Sequence, residues 1–242
     1  MYRIILLLLS ISLWCGPCEA SLLLRDNLKR AQAGDFIVTF QSKAYTLFHI
    51  YGKSGDILTV EEITIPQGKV SRDNFAWKEW VRQGAPNHTN WILYNVQLAT
   101  GATSNCFSIS KNGWYDMSQR DSFLPTLLNL QFAPIPLDER KKVGPPPHGD
   151  GPDFRKVWNP KMMVNGVVVP GVKFDALLTH WPKDGSELSG KAIEVYIPQE
   201  GDKYPSYFPY WLQIKGSVGG AATLRIIDSG TGLSSPAKLP HR

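Results

Sequence analysis

Cysteine is scarce in this chain, and what there is of it clusters at the wrong end to brace a fold. Two of the three cysteines lie within the first twenty residues, leaving Cys106 alone in the rest. A lone thiol excludes an internal disulfide framework, so the fold must be held by its core. Long apolar runs are also missing after the N-terminus, which excludes a later membrane-spanning helix by composition. Charge of one sign is not dominant either: the formal net charge of +5 supports steering toward an anionic surface and little more. Nothing in it calls for nucleic acid as a partner. No internal repeat is present, so a solenoid or propeller is excluded.

The N-terminus supplies the one apolar run. Arg3 is followed by Ile4 to Leu9 and an apolar stretch reaching Trp14, then Cys18-Glu19-Ala20 before Ser21. A short basic lead, an apolar run too short to span a bilayer and a small residue before the cut have the form of a secretory signal. Cleavage is expected between Ala20 and Ser21, which predicts an exported protein, periplasmic or secreted.

The remainder reads as strand. In Asp35–Pro66, Phe36, Val38 and Phe40 alternate, then Thr46, Phe48 and Ile50, then Leu58 and Val60, with the phase slipping across Glu61–Glu62 to Ile63 and Ile65. Alternation at period two places each set on one face of a sheet, and the slip predicts a bulge at the glutamate pair. Ser42-Lys43 and Ser54-Gly55-Asp56 have turn chemistry. Further strands are expected at Thr89–Leu98, Asn105–Ser110, Phe174–Trp181, Ala192–Ile197, Phe208–Ile214 and Thr223–Ile227, with a hairpin turning at Asn165-Gly166. Helices are expected over Ser21–Ala33, over Asn74–Gln83 with Ser71 or Asp73 as cap, and from Ser122 through Gln131. Ala133–Pro160 is rich in proline and charge and lacks apolar periodicity, which predicts a long surface loop. The organisation expected is a signal at 1–20, one β-rich domain at 21–232 and a disordered tail at 233–242.

Three strings look like chemistry and lack the scaffold for it. Trp14-Cys15-Gly16-Pro17-Cys18 matches the redox string of thioredoxins, but it sits inside the export signal with no buried strand before it. Gly185 to Lys191 nearly spells a phosphate-binding loop, but Ala192 has no hydroxyl for magnesium and strand formers follow it. Asp228-Ser229-Gly230-Thr231 resembles half of an aspartic-protease site, with no second copy of the motif to share the proton. His148, Asp150 and Asp153 share a glycine- and proline-rich loop, a poor frame for a metal, and Cys106 has no histidine that the sequence places beside it. No catalytic, cofactor or metal residue is assigned, and no cofactor is expected. Asn87-His88-Thr89 is a glycosylation sequon that matters only in a eukaryotic secretory pathway.

Several strands carry large apolar residues on both faces, among them Leu47, Trp91, Leu93 and Trp211, with Trp181 at the end of another. Such a sheet must be covered on both sides or hold something apolar. The fold class expected is mainly β (α+β): a large curved antiparallel sheet or half-barrel of about ten strands, with an N-terminal helix and two covering helices. In order of elements and in export, this layout resembles the LolA/LolB-like periplasmic lipoprotein carriers, whose half-barrels hold acyl chains. That resemblance implies an exported, non-enzymatic binding protein of the cell envelope. Its partner would be a lipid or lipidated protein, with an anionic membrane surface nearby. The apolar ligand face expected from the sequence is Leu47, Trp91, Leu93, Trp181 and Trp211. The alternative is an envelope protein that contacts other proteins and holds no small ligand.

Overall fold

The computed structural model describes residues 21–70, 75–116, 123–148, 152–201, 204–217 and 220–239. Ala20, Cys15, Cys18, Asp150 and the expected helix caps Ser71, Asp73 and Ser122 lie outside the described residues. Ser21 begins them.

The chain opens with β1 (Leu22–Leu23) and α1 (Leu24–Leu28). A meander follows: β2 (Phe36–Gln41), β3 (Ala44–Ser54) and β4 (Ile57–Pro66). After α2 (Trp77–Arg82) it continues through β5 (Asn90–Gln97), β6 (Thr103–Ser108) and β7 (Gly113–Tyr115). Then come α3 (Phe123–Asn129), β8 (Gln131–Pro134) and a small hairpin, β9 (Met162–Val164) with β10 (Val167–Val169). A second meander ends the fold: β11 (Phe174–His180), β12 (Ala192–Pro198), β13 (Trp211–Ser217) and β14 (Gly220–Gly230).

Twelve strands form one antiparallel sheet in the order β1-β8-β11-β12-β13-β14-β2-β3-β4-β5-β6-β7. The fold is mainly β, and the sheet is large, antiparallel and not closed into a barrel. Its two meanders meet where β14 pairs with β2, so the first long strand of the chain and the last lie side by side at its centre. Both ends of the sheet are blunted by strands of two and three residues, which limits pairing with another chain.

Connectivity forces the sheet to curl. Ten strand spacings separate β7 from β8, which is about 48 Å in a flat sheet. The chain between Tyr115 and Gln131, with seven residues coiled into α3, reaches about 42 Å at full stretch. Only a curled sheet lets a segment of that length join the two strands, and α3 packs into the inner cluster. Arg25, on the helix that follows edge strand β1, reaches across to the far half: its guanidinium donates to the Ala99 carbonyl beyond β5 and to Asn129 Oδ1 of α3, both at 2.7 Å.

Three apolar clusters fill the molecule. The inner one gathers Leu58, Val60, Tyr94 and Val96 from the first meander and Ile193, Val195, Leu212 and Ile214 from the second, beneath α1 and α3. On the outer face, Phe36, Val38, Leu47, Ile63, Ile65 and Trp91 pack under α2 and Leu233. The third contains Ala176, Tyr196 and Trp211, packed against Trp158 and Met162 from the loop and hairpin. The helices therefore divide between faces: α2 lies on the side away from α1 and α3, where the sequence had suggested two helices covering one face.

The turns follow the local sequence. Ser42 and Lys43 have φ of 49° and 63°, and Asn165 and Gly166 have 50° and 77°, the paired positive values of two-residue hairpin turns. The bulge is another matter. It falls at Tyr51 in β3, between the pairs Ile50–Val60 and Gly52–Thr59, and β4 runs unbroken through Glu61–Glu62. The apparent slip in β4 arises because Leu58 and Val60 are buried in the inner cluster while Ile63 and Ile65 are buried in the outer one. α1 is five residues where thirteen were expected, because Leu22–Leu23 pairs with β8 before the helix begins.

The tail expected to be disordered from 233 is docked over its described part. Leu233 is buried and its N–H donates to the Gly34 carbonyl. Ser235 and Ala237 hydrogen-bond to groups on β4 and β3.

Candidate functional site

The curl leaves space at its centre. A cavity of about 510 Å³ lies between the inner face of the sheet and the covering helices, walled by both meanders. Volumes of this size fall within the range of small-ligand sites.

Its two ends differ. At one end Leu28 of α1, Leu127 and Leu128 of α3, and Leu58, Val60 and Val96 of the sheet are all buried. Tyr207 closes this region: its hydroxyl is hydrogen-bonded to the carboxylate of Asp35, and burial pushes both groups' pKa values up. At the other end Gln41 and Phe123 are exposed, and Glu62, Leu188, Ala222 and Leu224 are half-buried. That end is the mouth. α3 supplies one lip, where Phe123 stacks on Trp181 at 5.5 Å between ring centres.

The strand pleat explains the lining. Phe48 and Ile50 of β3, Val60 of β4, and Leu212 and Ile214 of β13 alternate with residues that face outward, so the inner wall is apolar from strand to strand. Glu62 belongs to the same face of β4 as Val60, which puts one carboxylate in that wall. Its charge, after the larger effect of burial, raises the pKa of the Cys106 thiol. Cys106 is buried in the inner cluster, and a thiol so placed is held in its unreactive protonated form.

The five residues expected to form the ligand face do not line this cavity. Leu47 and Trp91 pack in the outer cluster beneath α2 and the tail. Leu93 is buried on the Trp91 side of β5. Trp211 lies in the third cluster, between Tyr196 and Trp158 at 5.4 Å each, with the Lys141 ammonium 3.6 Å from its ring centre. Trp181 joins the inner cluster but stands behind Phe123, its indole N–H donating to Asp184 at 2.9 Å. Period-two alternation separates two faces and says nothing about which is concave. The residues that do line the cavity, such as Phe48, Val60 and Leu212, had been read as ordinary core. One signal was available: Glu62 and Gln41 share a strand face with apolar neighbours.

A second polar centre lies on the outer face. Glu61 is fully buried and accepts three hydrogen bonds: from His49 Nδ1 at 2.8 Å, Trp91 Nε1 at 2.8 Å and Ser235 Oγ at 2.5 Å. With the carboxylate between the histidine and the serine, the histidine cannot take the hydroxyl proton, so the group is a structural clasp. Asp228 of the protease-like string accepts from the backbone N–H of Gly166 and of Ser229, and so pins the β9–β10 turn to β14. The P-loop-like stretch is a turn between β11 and β12. Asp153 pairs with Arg155 and Lys142, and the Arg155 guanidinium holds its carboxyl well below the usual range. No metal-binding group of histidine, cysteine or acidic residues occurs among the described residues. No helix among them is long and apolar enough to cross a membrane.

The fold and cavity thus define an open, curled antiparallel sheet with helices laid across its hollow. The chain belongs to the CT021 protein family, whose pattern matches residues 46–170, from β3 through the β9–β10 hairpin. The structure is similar to that of the hypothetical protein CT021 from Chlamydia trachomatis, at 18% sequence identity and a TM-score of 0.61. The alignment covers 92% of this chain and 99% of that one. No curated protein matches the chain.

Proposed function

We propose that this is an exported binding protein of the cell envelope that holds an apolar ligand, a lipid or the acyl part of a lipidated protein, inside its curled sheet. The observation that carries the reading is the cavity of about 510 Å³ with an apolar inner wall and an open mouth. A space of that size lined by buried leucine and valine loses packing energy when empty, and a flexible chain restores it. The N-terminal signal pattern supports export, and the modest positive charge suits work near an anionic membrane surface. The likeness to LolA/LolB-type carriers is one of element order and export, and the apolar hollow is consistent with it, whereas the tryptophans expected on the ligand face pack in three separate places.

Native mass spectrometry of the purified mature protein tests this. The expected spectrum carries an adduct of lipid mass that organic extraction removes, and Leu224→Trp at the cavity wall abolishes it. A bare spectrum, together with no uptake of added alkyl chains by the extracted protein, sinks the reading. A specific observation favours the alternative of a protein partner: Phe154, Leu137 and Val143 of the proline-rich loop are exposed, Phe154 at 89%. A partner seated there would survive Leu224→Trp and be lost on Phe154→Ser.

A further inference from the structure

The outer face of the sheet carries a cleft of its own. It lies between α2 and the turn of the β9–β10 hairpin, holds about 380 Å³, and has Asp228 in its wall with Phe36, Trp77, Lys78, Asn165 and Val167. Asp228 pairs with Val38, and Val38 and Phe36 both belong to the outer cluster, so the carboxylate stands on the face away from the inner cavity. We propose that this cleft binds a small primary amine with an apolar body, its ammonium donating to the free oxygen of Asp228 and its body lying along Phe36, Trp77 and Val167. The site stands apart from the cavity and does not depend on what the cavity holds.

Three observations carry it. The first is a half-used carboxylate. Asp228 is only 4% exposed, the Gly166 and Ser229 backbone donors both go to Oδ1, and Oδ2 has no hydrogen-bond partner among the described residues. A buried carboxylate with an idle oxygen is costly, and a cationic donor relieves it best. The second is the protein's own cation. Lys78 of α2 holds its ammonium over the Phe36 ring, 5.8 Å from the ring centre, yet makes no hydrogen bond or ion pair among the described residues. Burial dominates at the Asp228 carboxyl and raises its pKa, the two backbone bonds oppose that rise, and the Lys78 charge opposes it least. The cleft therefore draws an ammonium toward it without giving Oδ2 a donor. The third is the wall. Phe36 and Trp77 are buried, and an aromatic face favours a cation beside it. Val167 is 66% exposed, apolar surface that a ligand would cover. A Cβ added at Gly230 would stand 2.6 Å from Asn165 Oδ1 and 2.7 Å from the Phe36 ring, so glycine is what lets the amide and the ring pack together there.

The same features exclude other ligands. An anion would meet Asp228 at close quarters. A metal ion needs several oxygen or nitrogen ligands at once, and no such group of acidic, histidine or cysteine side chains occurs among the described residues. Glu79 and Arg82, also in the wall, pair with each other at 3.4 Å and add no net charge. The volume lies in the range of small-ligand sites, which leaves room for an apolar body behind the ammonium.

The test is titration of the purified protein at pH 7 with phenethylamine, 2-phenylethanol and 3-phenylpropanoate, followed by the indole N–H signal of Trp77 in NMR spectra. The three probes share a ring and differ in the head. Phenethylamine is expected to move that signal saturably and to bind about tenfold more tightly than the alcohol, the gain of a charged donor over a neutral one, while the carboxylate leaves the signal in place. Asp228→Asn, which keeps an oxygen for Gly166 and Ser229, should bring the amine-to-alcohol ratio to within about twofold. Lys78→Met removes the competing ammonium and keeps an apolar stem, so it should tighten the amine several-fold and leave the alcohol unchanged. A merely apolar groove would show neither response. Phenethylamine binding no better than the alcohol, an unchanged ratio in Asp228→Asn, or no saturable shift with any probe overturns the inference. Each of those results leaves alkyl-chain binding in the inner cavity as it was, since that is read by a different ligand on the opposite face.

Discussion

Glu61 ties together three segments of the chain on the outer face, all of which converge on its carboxylate. His49 comes from β3, Trp91 from β5 and Ser235 from the tail, and all three are donors. A buried carboxylate pays heavily for its lost hydration unless every lone pair is used, and here the pairing is what offsets that cost. Removing one side of such an arrangement leaves the other side stranded. Glu61→Ala is expected to lower unfolding free energy by about 3–5 kcal/mol in urea melts, with Glu61→Gln milder because an amide still accepts from Trp91 and Ser235. A loss under about 1 kcal/mol for the alanine variant would mean the three donors find water instead. Asp228 presents the opposite balance. Burial raises its pKa above the usual carboxylate value, against the opposing pull of the Gly166 and Ser229 backbone donors. A folded-state pKa above the unfolded one means the folded chain binds the extra proton, so stability from this group declines as pH rises from the unfolded value through the folded one. Both backbone bonds use Oδ1, which asparagine also supplies. Asp228→Asn should therefore raise stability at pH 7, and the gain should shrink toward zero near pH 3, where wild-type aspartate is itself protonated. Equal gains at both pH values would refute the assignment.

Among the elements, those whose partners lie next to them in the chain were the legible ones. β2, β3 and β4 are joined by short turns, and their extents, the Ser42-Lys43 turn and the Asn165-Gly166 turn of the β9–β10 hairpin could be read from the sequence because those turns are set by the residues within them. The elements misjudged answer to partners far away. Leu22–Leu23 pairs with Phe132 and Gln131 and so cuts α1 short. The β4 pattern at Glu61–Glu62 is set by which cover lies over each stretch, and the ligand face went astray for the same reason. The tail is the clearest case. Ser234 to Arg242 is polar and holds prolines, the composition of a loose end. Its anchors are Gly34, Tyr51 and Glu61, some 170 to 200 residues earlier in the chain. Truncation after Gly232 removes a buried Leu233 and the Ser235 bond to Glu61. The expected cost is about 3 kcal/mol or more, read as a fall in melting temperature and as faster amide exchange in β3 and β4. A truncated protein with the wild-type melt would show that those contacts add nothing to the fold.

At the scale of the whole molecule the hollow is what the topology leaves over. Two meanders joined at β14 and β2 curl toward each other, and α3 packs into the inner cluster. Side chains from both halves line the enclosed volume, and Ala222 and Leu224 of β14 stand in the wall of the cavity that remains. A fold under selection for stability alone would close that gap, since filling a cavity commonly adds about 0.5–2 kcal/mol. A fold that holds a ligand must keep it open and accept the loss. Ala222→Leu distinguishes these cases, because it places three more carbons in the wall near the mouth. If the space is empty in the extracted protein, the variant should melt higher by a few degrees, as buried methylenes gain about 0.8 kcal/mol each at best. It should also bind 1-decanol more weakly, since side chain and ligand compete for one volume. A lower melting temperature would mean the leucine is overpacked, at a typical cost of about 1–3 kcal/mol, and that the sheet closes more tightly than the cavity implies. Stability and binding are expected to move in opposite directions in this one variant, and that opposition separates a ligand site from a packing defect.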